Sequence, residues 1–308
     1  MVTILSPPTA PWGFYAHRLI NRHAVFSLPP EMIRFYKAHL EYISENAVNP
    51  DRRRYAVKGE AEKHYLDADA YGDSAVYYLP RYWQEAVEKF GEDTLRAHGI
   101  APWSTYQTFL QLIRAFESKN TPSILRISAD LGHYIGDIHV PLHTTKNYNG
   151  QLTGQYGIHG FWETRIPELF ADGYSFFVGK AEFIPQPQLA IWDALVQTHE
   201  AVDSVLRMEK SLNAQFPENR KYSFEERGGI NTRVYSKAYT QAYHHLLDGQ
   251  VERQMVAAIK MIADMWFTAW ILAGQPNLDA LAGHQSDIPS EQEWKPIDEL
   301  KGIREHDN

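Results

Sequence analysis

Apolar residues recur at three- and four-residue intervals through most of this chain, the spacing of helices that bury one face. Leu19, Ile20, Ala24 and Val25 mark a first helix beginning near Ala16 and ending before the Pro29-Pro30 pair. Those prolines open a second helix, whose buried stripe is Met32, Ile33, Tyr36, Leu40 and Ile43. Helical spacing returns over residues 81–115, punctuated by Gly91, Gly99 and Pro102. Thr121-Pro122 reads as an N-cap with proline in the first turn, starting a central helix with Ile124, Leu125, Ile127, Leu131 and Ile135 on its core side. One long amphipathic helix is expected over 187–215. One or two more are expected over 233–273, interrupted near Gly249, with Met255, Ile259, Ile262, Trp266 and Trp270 as a core stripe. Strand alternation is scarce, so the expected fold is all-α.

No Pro/Ser/Gly-rich linker interrupts the middle of the chain, which favours a single multi-helix domain over 12–275. Residues 1–11 read as a leader remnant or disordered segment, and residues 276–308 as a polar tail. The opening MVTILSPPTAP lacks the charged start and apolar run of a secretory signal, and no stretch reaches the roughly 18 apolar residues of a transmembrane helix.

With 308 residues and 44% hydrophobic content the chain can bury a large core. It has no cysteine, which excludes disulfides and thiolate metal sites. A net charge of −8 argues against broad electrostatic binding to nucleic acid or anionic lipid, although bound metal ions would make a site locally positive.

The candidate chemistry is concentrated in residues 128–163. His133 and Asp137 are four apart, as are His159 and Glu163, and His143 lies between the pairs. On a helix that separation brings two side chains to about 5–6 Å on one face, close enough to share an ion. A lone H-x-x-x-D is weak evidence, because polar pairs at this spacing are common; two pairs so close together, with a fifth ligand between them, are not. His143 is about 280° around an ideal helix from His133, so the two suit different sites, and Pro141 should end the helix and swing His143 toward the next loop. Imidazole and carboxylate without sulfur favour zinc in an open, catalytic setting.

Elsewhere, Asp51 precedes the basic run Arg52–Arg54, read as a solvated face or a phosphate-steering edge. The acidic stretch with His64, Tyr65, Asp67 and Asp69 lacks the spacing of an EF-hand. His23 and His39 have no chelating partner and read as structural or solvent-facing; adjacent His244 and His245 cannot face one ion and read as surface residues. The polar, glycine-rich loop 146–157 looks unable to pack and would form a rim.

Together these residues resemble a superfamily: the bacterial zinc-dependent phospholipases C and the fungal and plant single-strand-specific nucleases, which share an all-α fold and three zinc ions. The matching pieces are W-G-x-x-x-H at Trp12 and His17, Asp51 upstream of H-Y-L-D at His64, H-x-x-x-D-x-x-x-x-x-H at His133, Asp137 and His143, and H-x-x-x-E at His159 and Glu163. They occur in the family's order across residues 12–163. The resemblance implies one zinc on Asp51, His64, His133 and Asp137, a second on His143, His159 and Glu163, and a third on Trp12, His17 and the bridging Asp137. The family's tryptophan binds through its own α-amino group, so the third ion requires cleavage between Pro11 and Trp12.

The resemblance also implies in-line hydrolysis of a phosphodiester, with Asp51 and Asp137 as the catalytic carboxylates and Asp51 orienting or deprotonating the water. Export to the periplasm or the extracellular space would follow the family, with no stable protein partner. The H-G-F-W-E-T-R-I-P run at 159–167 looks more like the nuclease branch, which puts single-stranded nucleic acid slightly ahead of phospholipid headgroups. Tyr65 and Asp67 stand where nucleases stack a base and bond its edge, although Tyr65 fits plain packing equally well. A non-catalytic zinc-binding protein is the reading from another class; the ligands, too few to close four-coordinate sites without water, argue against it. H-E-x-x-H, needed by a metallopeptidase, is absent, and the His306-Asp307 doublet lies in the tail.

Overall fold

The computed structural model describes residues 13–227 and 229–281. Among them the chain is a stack of helices with one small hairpin. Helix α1 (Phe14–Ala24) runs into a 3-10 turn, and Pro29-Pro30 then start α2 (Pro30–Ala38), followed by α3 (Leu40–Glu45) and the short α4 (Asn49–Arg53). Helices α5 (Trp83–Phe90) and α6 (Glu92–Ala97) precede α7 (Ala101–Glu117) and the central α8 (Thr121–Ile138). The α8 cap is Asn120 rather than Thr121: its side chain accepts from Ser123 N at 2.9 Å, and Thr121 is already inside the helix. The helix ends as expected, since Val140, ahead of Pro141, is extended.

After a loop come α9 (Ile158–Gly160), a π-helical turn (Phe161–Arg165) and α10 (Ile166–Phe170). The helix expected over 187–215 is two, α11 (Pro187–Glu200) and α12 (Val202–Gln215), broken at Ala201. Helices α13 (Lys237–Leu246) and α14 (Gln250–Leu272) flank Gly249, whose positive φ makes the turn between them. Between α12 and α13 the chain forms β1 (Tyr222–Arg227) and β2 (Ile230–Tyr235), an antiparallel pair with Tyr222 opposite Tyr235. The fold is all-α, with this hairpin as the exception that strand patterning did not reveal.

The buried residues form one connected cluster running from Ala16 to Leu278, in which α8 packs on α7, α1 and α14. Tyr36 stacks on Trp266, whose indole N–H donates to the Ser128 carbonyl. Helix α14 is long and apolar enough to cross a membrane by length and composition, but most of it is buried in the core. Three sequence expectations need correction here. His244 is half-buried and hydrogen-bonded to the Tyr174 hydroxyl at 2.6 Å, because α13 packs against the segment after α10; only His245 is a surface residue. Packing continues past Pro276, with Leu278 buried and Pro276 accepting from Trp270. Loop 146–157 does pack: Asn147, Asn149 and Gln155 are buried, and their amides satisfy the loop's own backbone and Glu209.

Candidate metal centre

Helix α8 is the platform. His133 and Asp137 project from one face, one turn apart, and are buried at 0% and 1% exposure. His133 donates from Nδ1 to the Ala47 carbonyl at 2.8 Å, which turns Nε2 toward the carboxylates. Helix α1 brings His17 to the same point by an unusually close approach. A Cβ on Gly132 would stand 1.9 Å from Asn21 Oδ1, and one on Gly136 would stand 2.8 Å from Ile20 and 3.0 Å from the His17 ring. The two glycines therefore let α1 lie against α8, and His17 stacks on His133 with ring centroids 3.9 Å apart.

Segment 62–67 delivers His64. It is held by backbone bonds from Ile100 to Glu62, from Asp67 to His98, from Ala101 to Tyr65 and from Leu66 to His143. Asp51 arrives on α4. His143 follows the proline turn, and His159 and Glu163 arrive through α9 and the π-turn. An α-helix was expected for that last pair. A π-turn advances fewer degrees per residue, so a separation of four still closes on one face, with His159 Nε2 2.9 Å from Glu163 Oε2.

Asp137 sits between the groups. Its Oδ2 is 2.9 Å from His64 Nδ1 and 3.2 Å from His133 Nε2, while its Oδ1 is 3.5 Å from His17 Nε2 and 3.4 Å from His143 Nδ1. Asp51 Oδ1 is 3.5 Å from His64 Nδ1 and 3.6 Å from His133 Nε2. His143 Nε2 is 3.4 Å from Glu163 Oε2. Three groups thus offer converging donors within 4.8 Å: His64, His133 and Asp137; His143, His159 and Glu163; and His17, Asp51 and His133. Donors about 2.0–2.1 Å from a tetrahedral zinc stand about 3.3–3.4 Å apart, and the observed separations straddle that value. Nitrogen and oxygen donors of this kind, buried together without sulfur, fit zinc. Trp12 lies outside the described residues.

The electrostatics also suit a cation. Burial works against charge on His133, but Asp137 and Asp51 outweigh it and push its imidazole up to about 9. Burial likewise opposes ionisation of Glu163, yet His159 and His143 hold it at about 2, and His133 and His143 hold Asp137 well below the usual carboxylate range. Burial pulls His64 down to about 4 and also lowers His17. The nest is prepared for carboxylate anions beside positive charge.

Two expected substrate residues are placed otherwise. Tyr65 is 4% exposed, its ring edge against Gly99, and Asp67 is 8% exposed, so neither offers an open platform to a base. The Arg52–Arg54 run is not a solvated face. Arg54 is buried, and Arg53 lies between Glu60 and Asp130, each 3.0 Å away, with the Tyr134 hydroxyl accepting at 2.9 Å. That network was missed because its members come from 53, 60, 130 and 134, and no local spacing joins them. His23 and His39 are structural as expected: His23 packs on Phe176, and His39 pairs with the Phe35 carbonyl.

No family model matches the chain. It is 29% identical over 192 residues to nuclease S1 of Aspergillus oryzae, a match covering 57% of this chain and 61% of that protein's length. Among solved structures it is similar to the alpha-toxin of Clostridium perfringens at 14% identity and a TM-score of 0.45, covering 84% of this chain and 64% of the toxin. The alpha-toxin of Clostridium absonum follows at 12% identity and 0.42, covering 81% and 63%. In the order of its ligand-type residues and in its match to nuclease S1, which spans less than two thirds of that protein's length, the chain is similar to the zinc-dependent phospholipases C and single-strand-specific nucleases.

Proposed function

We propose that this protein is a zinc-dependent phosphodiester hydrolase acting on single-stranded nucleic acid. The observation that carries the reading is Asp137, whose two carboxylate oxygens face different groups of histidines, as a ligand shared by neighbouring ions must. The likeness to nuclease S1 supports nucleic acid as the substrate. Asp51, His64, His133 and Asp137 would hold one ion, His143, His159 and Glu163 a second, and His17 with Asp137 and the Trp12 amine a third.

When bound, zinc supplies Lewis acidity toward the phosphoryl oxygens and brings water to a usable pKa. The chain's own residues do the rest. His133 is fixed by Ala47 and His143 by the turn after Pro141, so the ligand atoms keep their directions. Asp51, near His64 and His133 on a short helix, would take the proton of an attacking water. Leu142 and Ile158, next in sequence to His143 and His159, are fully buried, so the ligands they flank emerge from an apolar, water-poor surround in which charge interactions are stronger. Export of the protein belongs to the same proposal.

The test is zinc per chain by elemental analysis, on protein whose N-terminus has been read by intact mass, followed by parallel assays on single-stranded DNA and phosphatidylcholine vesicles. Zinc with DNA cleavage that a chelator abolishes is the expected result. Lipid hydrolysis alone would move the protein to the phospholipase branch, and absence of zinc would overturn the reading.

A further inference from the structure

We propose that Glu60 is a positioning residue for the metal centre: a buried carboxylate that sets the tautomer and ring orientation of His64 from behind. The inference rests on the zinc reading above and concerns a residue outside the ligand set.

His64 presents Nδ1 to Asp137, Asp51 and His133, which makes Nδ1 its metal-facing nitrogen. Its other nitrogen, Nε2, is buried and makes no hydrogen bond among the described residues. Glu60 Oε1 faces that nitrogen at 3.9 Å. A neutral histidine that gives one nitrogen to a metal carries its proton on the other, and a carboxylate aimed at that N–H fixes the ring and raises the basicity of the ligating nitrogen. A small turn of the His64 ring, or a shared water, would close 3.9 Å to a hydrogen bond while Glu60 stays in place.

Glu60 is built to stay there. It is 1% exposed. Its Oε1 accepts from the Tyr134 hydroxyl and stands 3.0 Å from Arg53 Nη2, and its Oε2 accepts from Lys63 Nζ at 2.8 Å. Arg53 is in turn held by Asp130 at 3.0 Å. Tyr134 also sets its ring edge-on to His64 and to His133, with centroids 5.6 and 5.7 Å apart. Three donors from three directions therefore lock a carboxylate whose one remaining neighbour of interest is a metal-facing histidine. An ion pair serving stability alone would not need to sit against that ring; Asp130 shares Arg53 and has no His64 contact, so it is the natural control.

The experiment compares zinc affinity of the wild type, Glu60→Gln and Asp130→Asn, by competition with a chromophoric chelator, and reads the His64 Nε2–H resonance in the zinc-loaded proteins by NMR. Glu60→Gln should weaken one zinc site by about 10–100-fold and move that resonance upfield, while Asp130→Asn leaves both near wild type. Equal affinity in Glu60→Gln and wild type, or equal losses in both variants, would overturn the proposal. Should Glu60→Gln not fold, Tyr134→Phe removes one of the three donors: a loss of several-fold at the same site is expected, and no loss would overturn it. Failure of the wild type to bind zinc is a different result, and removes the zinc reading itself.

Discussion

The nest around Asp137 and the hairpin β1–β2 lie on either side of the π-turn and are held in opposite ways. The nest is fixed by helices packed to contact distance and by the bonded segment 62–67, with Gly132 and Gly136 bringing α1 against α8. The hairpin is held on one side only: Tyr235 stacks on Phe161 at 3.9 Å, and Arg165 reaches out to Glu225 and to the Tyr235 carbonyl. Phe224, at 71% exposure, faces away from the body of the protein. Groups that must hold donor atoms to a few tenths of an ångström sit where nothing can shift, and the hairpin has no such duty. The difference is one of rigidity, and it can be broken from either end.

The largest effect should come from Asp137→Asn. It keeps the shape and removes the charge that faces His64, His133, His17 and His143 at once. Since losing a partner outside the ligand shell already costs about 10–100-fold in affinity or activity, losing a shared ligand should exceed 100-fold in both. Zinc content and cleavage rate measured on one preparation check it; retention of either at wild-type level would remove Asp137 from the centre.

Next is Gly132→Ala. In an open helix this change favours folding by up to about 1 kcal/mol, because glycine is the poorer helix former. Here the added methyl meets Asn21, itself buried and bonded to the Ala129 carbonyl, so the sign should invert to a loss of about 1–3 kcal/mol. His17 should retreat with α1, and zinc per chain should fall. A denaturation midpoint at or above wild type would show that α1 is not pinned as described.

These two positions also show what could be read in the sequence. The ligand pairs were legible because they are local: two side chains four apart on one helix declare their meeting without knowledge of the fold. The helical stripes on α8 and α14 were legible for the same reason, whereas the second helix, read as one, is divided at His39 into α2 and α3, with Leu40 and Ile43 on α3. Gly132 and Gly136 were not, since a glycine in a helix reads as a weakness until the helix that crosses it is known. Nor was Arg53, whose burial depends on Asp130, distant in sequence. Tyr65 reads as a stacking ring or a core ring alike, and only its packing against Gly99 decides. The hairpin's alternation puts an aromatic on the solvent face, so hydrophobicity alone misreports which side is in.

On the hairpin side, Arg165→Met should loosen the docking by about 2 kcal/mol, through loss of charge-assisted bonds to Glu225 and the bond to Tyr235. Limited proteolysis within 222–235 should quicken while zinc per chain stays at its wild-type value, because Glu163 is carried by the π-turn and by Trp162, whose indole donates to Gln250. Zinc loss in this variant would mean that the hairpin is part of the site.

The smallest effect is set by pH at the same contact. The Arg165 hydrogen bonds, with its positive charge, hold the Glu225 carboxyl below its usual pKa against a modest opposing cost of burial. A carboxylate depressed in the folded state contributes stability that is present above its unfolded pKa, near 4.3 for Glu, and is lost as pH falls through the folded value. With 40% of the Glu225 side chain exposed, solvent screens the pair and the gain is small. Comparing Glu225→Gln with wild type isolates it from every other carboxylate that protonates in acid. The wild type should melt slightly higher near neutral pH, and the gap should close as pH drops below about 4. A gap that is constant with pH would remove the Glu225 charge from the docking and leave it to the stacked Tyr235 and Phe161 rings, the Arg165 bond to the Tyr235 carbonyl and the Arg227–Glu168 pair.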